Sequence, residues 1–171
     1  MATTAFKGNP VTTSGELPAV GSTAPAFELV GTDLGPVTSE SLAGKKLILN
    51  IFPSVDTGVC AQSVRTFHEK ASGLDDTVVV NISADLPFAH KRFCAAEDIE
   101  NATAGSTFRS DFASDYGVTM TDGPLAGLCA RSVVVVDADG HATGLLDENA
   151  MRPINDVLQP ESESDITDAL D

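Results

Sequence analysis

The sequence predicts an α/β protein built on one central sheet that mixes parallel and antiparallel strands, with helices on both faces. A buried strand at Leu47–Phe52 is followed by an amphipathic helix and then by an apolar run at Thr77–Ile82. A strand, a helix and a strand in that order are typical of a parallel βαβ unit with a right-handed crossover. Further on, the β-branched run Val133–Val136, the turn Asp137–Gly140 and a strand at Ala142–Leu146 predict an antiparallel hairpin.

The elements before the first buried strand are short. Residues 5–14 are predicted to form an N-terminal β-hairpin with its turn at Gly8-Asn9-Pro10. Short strands are predicted at Phe27–Val30 and Pro36–Thr38. A one-turn helix is predicted at Ser39–Gly44, where the glycine ends it.

A second helix is predicted after the strand Thr77–Ile82. Asp85 is expected to cap it, Pro87 lies in its first turn, and the helix runs to about Ala96. The following stretch, 95–110, is small and polar and is predicted to be a loop.

Two short helices and an acidic tail are predicted in the rest of the chain. A short helix is expected within Phe108–Tyr116, ended by Gly117, and a brief one at Pro153–Leu158. The tail, 160–171, is acidic and poor in apolar residues, so a frayed, solvated end is predicted. The whole chain, 1–171, is predicted to be a single domain.

Composition limits the location and the partners. Of 171 residues 42% are hydrophobic, and no apolar run approaches the length of a membrane span. The formal net charge of −15 would be repelled by nucleic-acid phosphates and by anionic membranes, so neither partner is predicted. The N-terminus lacks the basic and apolar regions of a secretory signal, which predicts a cytoplasmic protein. The three cysteines and three histidines are scattered and predict neither a metal site nor a disulfide framework.

One cysteine falls where chemistry is favoured. Cys60 lies about at the start of the amphipathic helix, whose apolar face also holds Val64, Phe67 and Ala71. Unpaired N–H groups and the helix dipole stabilise a thiolate at such a position. Thr57, one turn earlier, offers a hydroxyl to these N–H groups or to a ligand. A small buried hydrophobe is the alternative interpretation of Cys60, and position alone leaves both open.

The residues around Cys60 resemble a known family. Pro53, Thr57 and Cys60 form the pattern P-x-x-x-T-x-x-C, which is the active-site signature of peroxiredoxins. The bacterial thiol peroxidases, an atypical two-cysteine branch of that family, are similar to nearly the whole chain. Three ordered blocks carry this resemblance: FKGNPV at 6–11, DTGVCAQSVRTF at 56–67, and GPLAGL at 123–128 followed by ARSVVVVD at 130–137. The resemblance implies a thioredoxin-like fold with an N-terminal hairpin and a homodimer.

A thiolate that attacks a peroxide needs a nearby positive charge. The segment 50–63 offers only Asp56 as a formal charge, so the cation must come from elsewhere. Arg131 lies between the apolar runs GPLAGLCA and SVVVV, where an arginine without a partner is costly. The resemblance implies that this arginine contacts the peroxidatic Cys60. An arginine that snorkels to solvent from the end of a strand is the alternative.

Thr57 and Pro53 are the two remaining candidates near the nucleophile. Thr57 is expected to donate a hydrogen bond to the thiolate or to a peroxide oxygen, and its alternative role is a plain helix cap. Pro53 is expected to shield the pocket, and its alternative role is to end the strand.

The oxidised Cys60, a sulfenic acid, condenses with a nearby thiol. The resemblance implies that Cys94 of the same chain is this resolving residue; the alternative is a helix cysteine that merely packs. Lys91 and Arg92 are expected to lower its pKa modestly. Cys129 is not part of the family pattern and is either a bystander or an alternative resolving thiol.

The resemblance therefore implies a peroxidase that reduces hydroperoxides, organic ones as well as hydrogen peroxide. Its Cys60–Cys94 disulfide would be reset by thioredoxin, and no metal, haem, flavin or other cofactor is implied. Because disulfide geometry is narrow, 52–60 and 88–96 are expected to rearrange when the bond forms. A peroxide-responsive sensor or binding protein with poor turnover is the alternative. A thiol–disulfide oxidoreductase is disfavoured because the chain has no C-x-x-C.

Overall fold

The strands of this protein form a seven-stranded sheet and a separate two-stranded hairpin within the residues that the structure describes. The structure is a computed structural model, and it describes residues 3–6, 9–56, 65, 77–96 and 103–147. Two helices are described: the Cys94 helix, Pro87–Ala96, and the short helix, Phe112–Asp115. The strands are β1 Thr3–Phe6, β2 Asn9–Thr12, β3 Glu28–Val30, β4 Pro36–Thr38, β5 Lys46–Ile51, β6 Thr77–Ser83, β7 Thr103–Ser106, β8 Ser132–Val136 and β9 Ala142–Asp147.

The sheet is mixed, as the sequence predicts. Its strand order is β4-β3-β7-β6-β5-β8-β9. β6 lies parallel to both of its neighbours, β5 and β7, whereas β8 runs antiparallel to β5 and β9 antiparallel to β8. The parallel pair confirms the predicted β5–β6 unit. Of the helix predicted between these strands only Arg65 is described, and it is helical.

Both faces of the central strand β5 are buried. Leu47, Leu49 and Ile51 join a core cluster with side chains from β6 and β8. Ile48 and Asn50 alternate with them, face the other side and are also buried. A strand covered on both faces reads as a continuous apolar run, which explains why the sequence signal here is strong.

The two described helices cover opposite faces of the sheet. Phe112 of the short helix belongs to the same core cluster as Ile51, and it stacks on Tyr116 with ring centroids 4.3 Å apart. Phe52 follows Ile51 and points to the other face. There its ring meets that of His90, from the Cys94 helix, at a centroid distance of 6.2 Å. The prediction of helices on both faces is confirmed.

Strand β7 corrects the prediction of a loop at 95–110. Its sequence, TAGS, has no β-branched or aromatic run, so the strand owes its existence to pairing with β6 rather than to its own propensity. Gly105 is required by close packing, because a Cβ there would lie 2.6 Å from Leu29 Cδ1. The small residues that suggested a loop are those that let β3 and β7 approach.

Two further local predictions are wrong. Ser39–Gly44 forms consecutive turns instead of a one-turn helix, with Ala43 N–H donating to Glu40 O at 3.2 Å. Asp85 does not cap the Cys94 helix. Among the described residues its carboxylate accepts hydrogen bonds only from groups that precede the helix.

The hairpins agree better with the prediction. β1 and β2 pair antiparallel, with Phe6 opposite Asn9, so the N-terminal hairpin is confirmed with its turn slightly earlier than predicted. β8 and β9 form the second hairpin, where Gly140 adopts φ +88°. None of the described helices has the length and apolarity needed to cross a membrane. The predicted helix Pro153–Leu158 and the tail 160–171 lie outside the described residues.

Candidate active site

Three parallel strands end together at one edge of the sheet, called here the carboxyl edge. It comprises the ends of β5, β6 and β7, at Ile51, Ser83 and Ser106. In α/β sheets, ligands bind outside the carboxyl ends of the strands. Phe52 still donates its N–H to Ile82 O at 3.0 Å, and the buried Pro53 then ends the ladder. Pro53 is therefore the point at which the chain leaves this edge.

Arg131 arrives at the same edge from the opposite direction. β8 runs antiparallel to β5 and begins with Ser132 opposite Ile51, so Arg131 lies one position beyond, beside Phe52. The arginine is half-buried and its Nε atom is fully buried. This placement disfavours an arginine that merely snorkels to solvent, and it brings Arg131 to the edge of the sheet at which Pro53 lies.

The other two residues of the predicted site, Thr57 and Cys60, lie outside the described residues. The described chain before them ends at Asp56, which follows the carboxyl edge directly. Their roles remain predictions.

Cys94 is half-buried on its helix, and burial raises the pKa of its thiol. The prediction that Lys91 and Arg92 lower this pKa is therefore wrong. Arg92 is committed to a different partner: its Nη2 lies 2.7 Å from Asp56 Oδ1. A thiol with a raised pKa stays protonated while the helix is intact, so it is a poor nucleophile in this conformation.

A buried polar network connects the loop after β5 with the Cys94 helix. We call it the Asp85 network, and it consists of Ser54, Val55, Ser83, Asp85 and His90. Asp85 Oδ1 accepts from Ser54 Oγ at 2.8 Å, and Oδ2 accepts from Val55 N at 2.8 Å and Ser83 Oγ at 2.6 Å. Ser83 Oγ lies 3.0 Å from His90 Nε2. The Asp85 carboxylate thus connects the loop after β5 with the Cys94 helix, directly to the first and through Ser83 to the second.

Sequence reasoning missed this network, although one signal was available. Ser54 follows β5, Ser83 ends β6 and Ser106 ends β7, so a polar side chain stands at the end of each parallel strand. Ser106 Oγ also donates to Asp85 O. Polar residues repeated at the carboxyl ends of parallel strands indicate a shared site.

Comparison with known proteins adds the family. Residues 19–153 match the sequence model of the family described as Redoxin. The thiol peroxidase of Mycobacterium tuberculosis (strain ATCC 25618 / H37Rv) is 56% identical over 155 residues, which are 90% of this chain and 93% of that protein. The thiol peroxidase of Corynebacterium glutamicum is 56% identical over 159 residues, 92% of this chain and 96% of that protein. The chain belongs to the thiol peroxidase family.

Solved structures agree with the thiol peroxidase fold. A peroxiredoxin-like protein from Aquifex aeolicus has a TM-score of 0.86 at 33% identity, covering 99% of this chain and 98% of that one. The thiol peroxidase from Chromobacterium violaceum shares the fold, with a TM-score of 0.85 at 20% identity and 98% of both chains covered. The thioredoxin-like α/β class is confirmed, and the chain is a thiol-dependent peroxidase.

Cys129 of this thiol peroxidase is buried, whereas Cys94, the other described cysteine, is half-buried. Cys129 is 1% exposed, and burial and the charge of Asp85 raise its pKa to about 11, against the lowering effect of a hydrogen bond with Thr107. A thiol that is both buried and protonated does not compete for a sulfenic acid. The structure therefore favours the bystander interpretation over an alternative resolving thiol.

His90 is the buried titratable base of the Asp85 network. Because Ser83 gives its proton to Asp85, the ring of His90 must donate Nε2–H to Ser83 Oγ, which places a proton on Nε2. Burial lowers the pKa of His90, and the charge of Asp85 opposes that shift only in part. The folded thiol peroxidase therefore holds His90 neutral.

We expect His90 to make the protein less stable in acid. The unfolded chain binds a proton at His90 near pH 6.5, whereas the folded chain does so only at a lower pH. Stability is thus complete above pH 6.5 and falls as the pH drops towards the folded pKa, by at most about 1.4 kcal/mol per pH unit for one proton. Urea unfolding of wild type and His90→Gln at pH 7.5 and 5.5 measures this, and His90→Gln should lose less stability between these pH values.

The matched control is His141→Gln, at an exposed position. It should keep the wild-type difference between the two pH values. Equal differences for wild type and His90→Gln would contradict the assignment of a neutral His90.

Proposed function

We propose that this thiol peroxidase reduces hydroperoxides, organic ones as well as hydrogen peroxide, with the thiolate of Cys60 as nucleophile. The thiolate attacks one peroxide oxygen, the O–O bond breaks, and the second oxygen leaves with a proton as water or an alcohol. Cys60 becomes a sulfenic acid. The observation that supports the proposal is that the register of β5 and β8 places both Pro53 and Arg131 at the carboxyl edge, after which Cys60 follows in the sequence.

Arg131 supplies the positive charge in this proposal. Its half-buried guanidinium stabilises the thiolate and the negative charge that develops on the leaving oxygen. Thr57 donates a hydroxyl hydrogen bond to the thiolate or to the peroxide. Pro53 excludes water from one side of the pocket.

The Cys94 thiol resolves the sulfenic acid within the same chain. Its sulfur forms a bond with Cys60 sulfur, and the sulfenic oxygen leaves as water. Because Cys94 is half-buried on a helix and its pKa is raised, the Cys94 helix must open before this step. Thioredoxin then reduces the disulfide by thiol–disulfide exchange, and its own two thiols become a disulfide.

The proposal also covers the cellular location of the reaction and the oligomeric state of the protein. The reaction takes place in the cytoplasm, where thioredoxin keeps thiols reduced. Two copies of the chain pair as a homodimer, as the family resemblance implies.

One experiment tests the cysteine assignments. Reduced protein is treated with one equivalent of hydroperoxide and mapped by mass spectrometry under non-reducing conditions. We expect a Cys60–Cys94 disulfide within one chain. Cys94→Ser should still consume one equivalent of hydroperoxide, but it should leave Cys60 as a sulfenic acid and lose turnover with thioredoxin.

Other outcomes have distinct meanings. A Cys60–Cys129 link would remove Cys94 from its role. Oxidation of Cys60 without reduction by thioredoxin would favour the peroxide-responsive sensor. No reaction with hydroperoxide would contradict the proposed function.

A further inference from the structure

The Asp85 carboxylate contacts both segments that the proposed reaction must move. On one side it accepts hydrogen bonds from Ser54 and Val55, in the described segment 54–56 that precedes Cys60 in the sequence. On the other side it accepts from Ser83, whose hydroxyl oxygen meets His90 of the Cys94 helix. The segment 54–56 and the Cys94 helix are therefore held by one carboxylate, that of Asp85, which we call the anchor.

The hydroxyl of Ser83, which links Asp85 to His90, makes three hydrogen bonds. Ser83 Oγ donates to Asp85 and accepts from His90 Nε2, and it also accepts from Asp85 N at 3.2 Å. Ser83 and His90 are both buried. Removing a partner from a buried network leaves donors without acceptors, which costs more than the loss of an exposed bond.

A second link between the same two segments is exposed. Arg92 of the Cys94 helix pairs with Asp56 of the loop, and both side chains are largely exposed to solvent. Exposed ion pairs contribute little to stability. The half-buried Asp85 carboxylate, which accepts from the buried Val55 and Ser83, is thus the stronger of the two connections.

We infer that Asp85 is a positioning residue that holds the segment 54–56, just before Cys60 in the sequence, and the Cys94 helix in one arrangement and so controls the two chemical steps in opposite directions. This inference rests on the roles proposed above for Cys60 and Cys94. With the anchor intact, segment 54–56 is held in the arrangement that favours attack on a hydroperoxide. With the anchor broken, segment 54–56 is held less firmly, and the Cys94 helix opens more easily for disulfide formation.

Three alanine variants separate the two sides of the anchor. Asp85→Ala removes both sides. Ser54→Ala removes a contact on the loop side only, and Ser83→Ala removes the connection to His90. The control is Asp111→Ala, which changes the net charge equally at an exposed carboxylate without a capping hydrogen bond.

Two rate constants are measured in single-turnover, acid-quenched reactions with a stoichiometric alkyl hydroperoxide. Mass spectrometry follows the loss of free Cys60 thiol and then the appearance of the Cys60–Cys94 disulfide. In Asp85→Ala we expect oxidation to be about tenfold slower and disulfide formation about tenfold faster, since several hydrogen bonds to a half-buried carboxylate are lost. A general loss of stability would not move the two constants in opposite directions.

The other variants sharpen the expectation. Ser54→Ala should slow only the oxidation step, and Ser83→Ala should accelerate only disulfide formation. Asp85→Asn, which keeps one acceptor oxygen, should restore part of both constants. Asp111→Ala should match wild type. If Asp85→Ala does not fold, the opposite single effects of Ser54→Ala and Ser83→Ala decide the question.

Constants that are unchanged in the folded variants, or that change in the same direction in Asp85→Ala, would overturn the inference. A wild type that forms no Cys60–Cys94 disulfide would instead contradict the proposed function. In that case, amide hydrogen exchange of the reduced proteins tests whether the Asp85 network stabilises the Cys94 helix, independently of disulfide formation. Faster exchange of the Cys94 helix in Ser83→Ala than in Asp111→Ala supports the inference, and equal exchange overturns it.

Discussion

Replacing Cys60 by serine is expected to abolish hydroperoxide reduction, with a fall of at least about a thousandfold in kcat/KM. A serine hydroxyl stays protonated at neutral pH and is a far weaker nucleophile than a thiolate. The measurement is the rate of hydroperoxide consumption with thioredoxin and its reductase as the electron source. Circular dichroism of the same samples shows whether the variant is folded.

The matched control for this prediction is Cys129→Ala. Cys129 is buried and burial raises its pKa to about 11, so we do not expect its thiol to contribute to turnover. The control should keep the wild-type rate at temperatures where it remains folded. If Cys60→Ser kept its activity and Cys129→Ala lost it, the nucleophile would be assigned to the wrong cysteine.

Replacing Arg131 by methionine is expected to lower kcat/KM for hydroperoxide by about a hundredfold to a thousandfold. Methionine keeps much of the volume of the side chain at this half-buried position and removes the charge. The pKa of the Cys60 thiol should rise at the same time, because a positive charge nearby favours the thiolate. The pH dependence of Cys60 alkylation measures that rise independently of turnover.

Two further variants complete the Arg131 test. Arg131→Lys keeps the charge but loses the planar donor geometry, so an intermediate rate is expected. Arg109→Met removes an exposed arginine that lies over the Phe108 ring at 5.3 Å, and it should leave both rate and pKa unchanged. A wild-type alkylation profile in Arg131→Met would exclude Arg131 as the cation that stabilises the thiolate.

The central strands were predictable because their signal is carried by their own residues. β5, β6 and β8 are buried on both faces and therefore appear as apolar runs. β7 was not predictable in this way. Its place depends on the ladder that β6 offers and on the space that Gly105 leaves for Leu29, and neither is visible in the sequence TAGS.

The candidate site, too, was predictable from the sequence only in part. Family resemblance predicted Pro53 and Arg131 as site residues, and the register of β5 and β8 brings both to the carboxyl edge. Asp85 was misread because an aspartate just before Pro87 fits the pattern of a helix cap. Its acceptors are used instead by Ser54 and Val55, donors that only the tertiary fold brings near.

The position of β5 in the strand order has a consequence for synthesis on the ribosome. β5 pairs with β6, which follows it in the chain, but its other neighbour is β8, which is translated much later. Until Ser132–Val136 has emerged, the growing chain presents an apolar strand with one open edge, the kind of surface that recruits chaperones or aggregates. Chains truncated before β8 should therefore aggregate, whereas completion of β8 closes this edge.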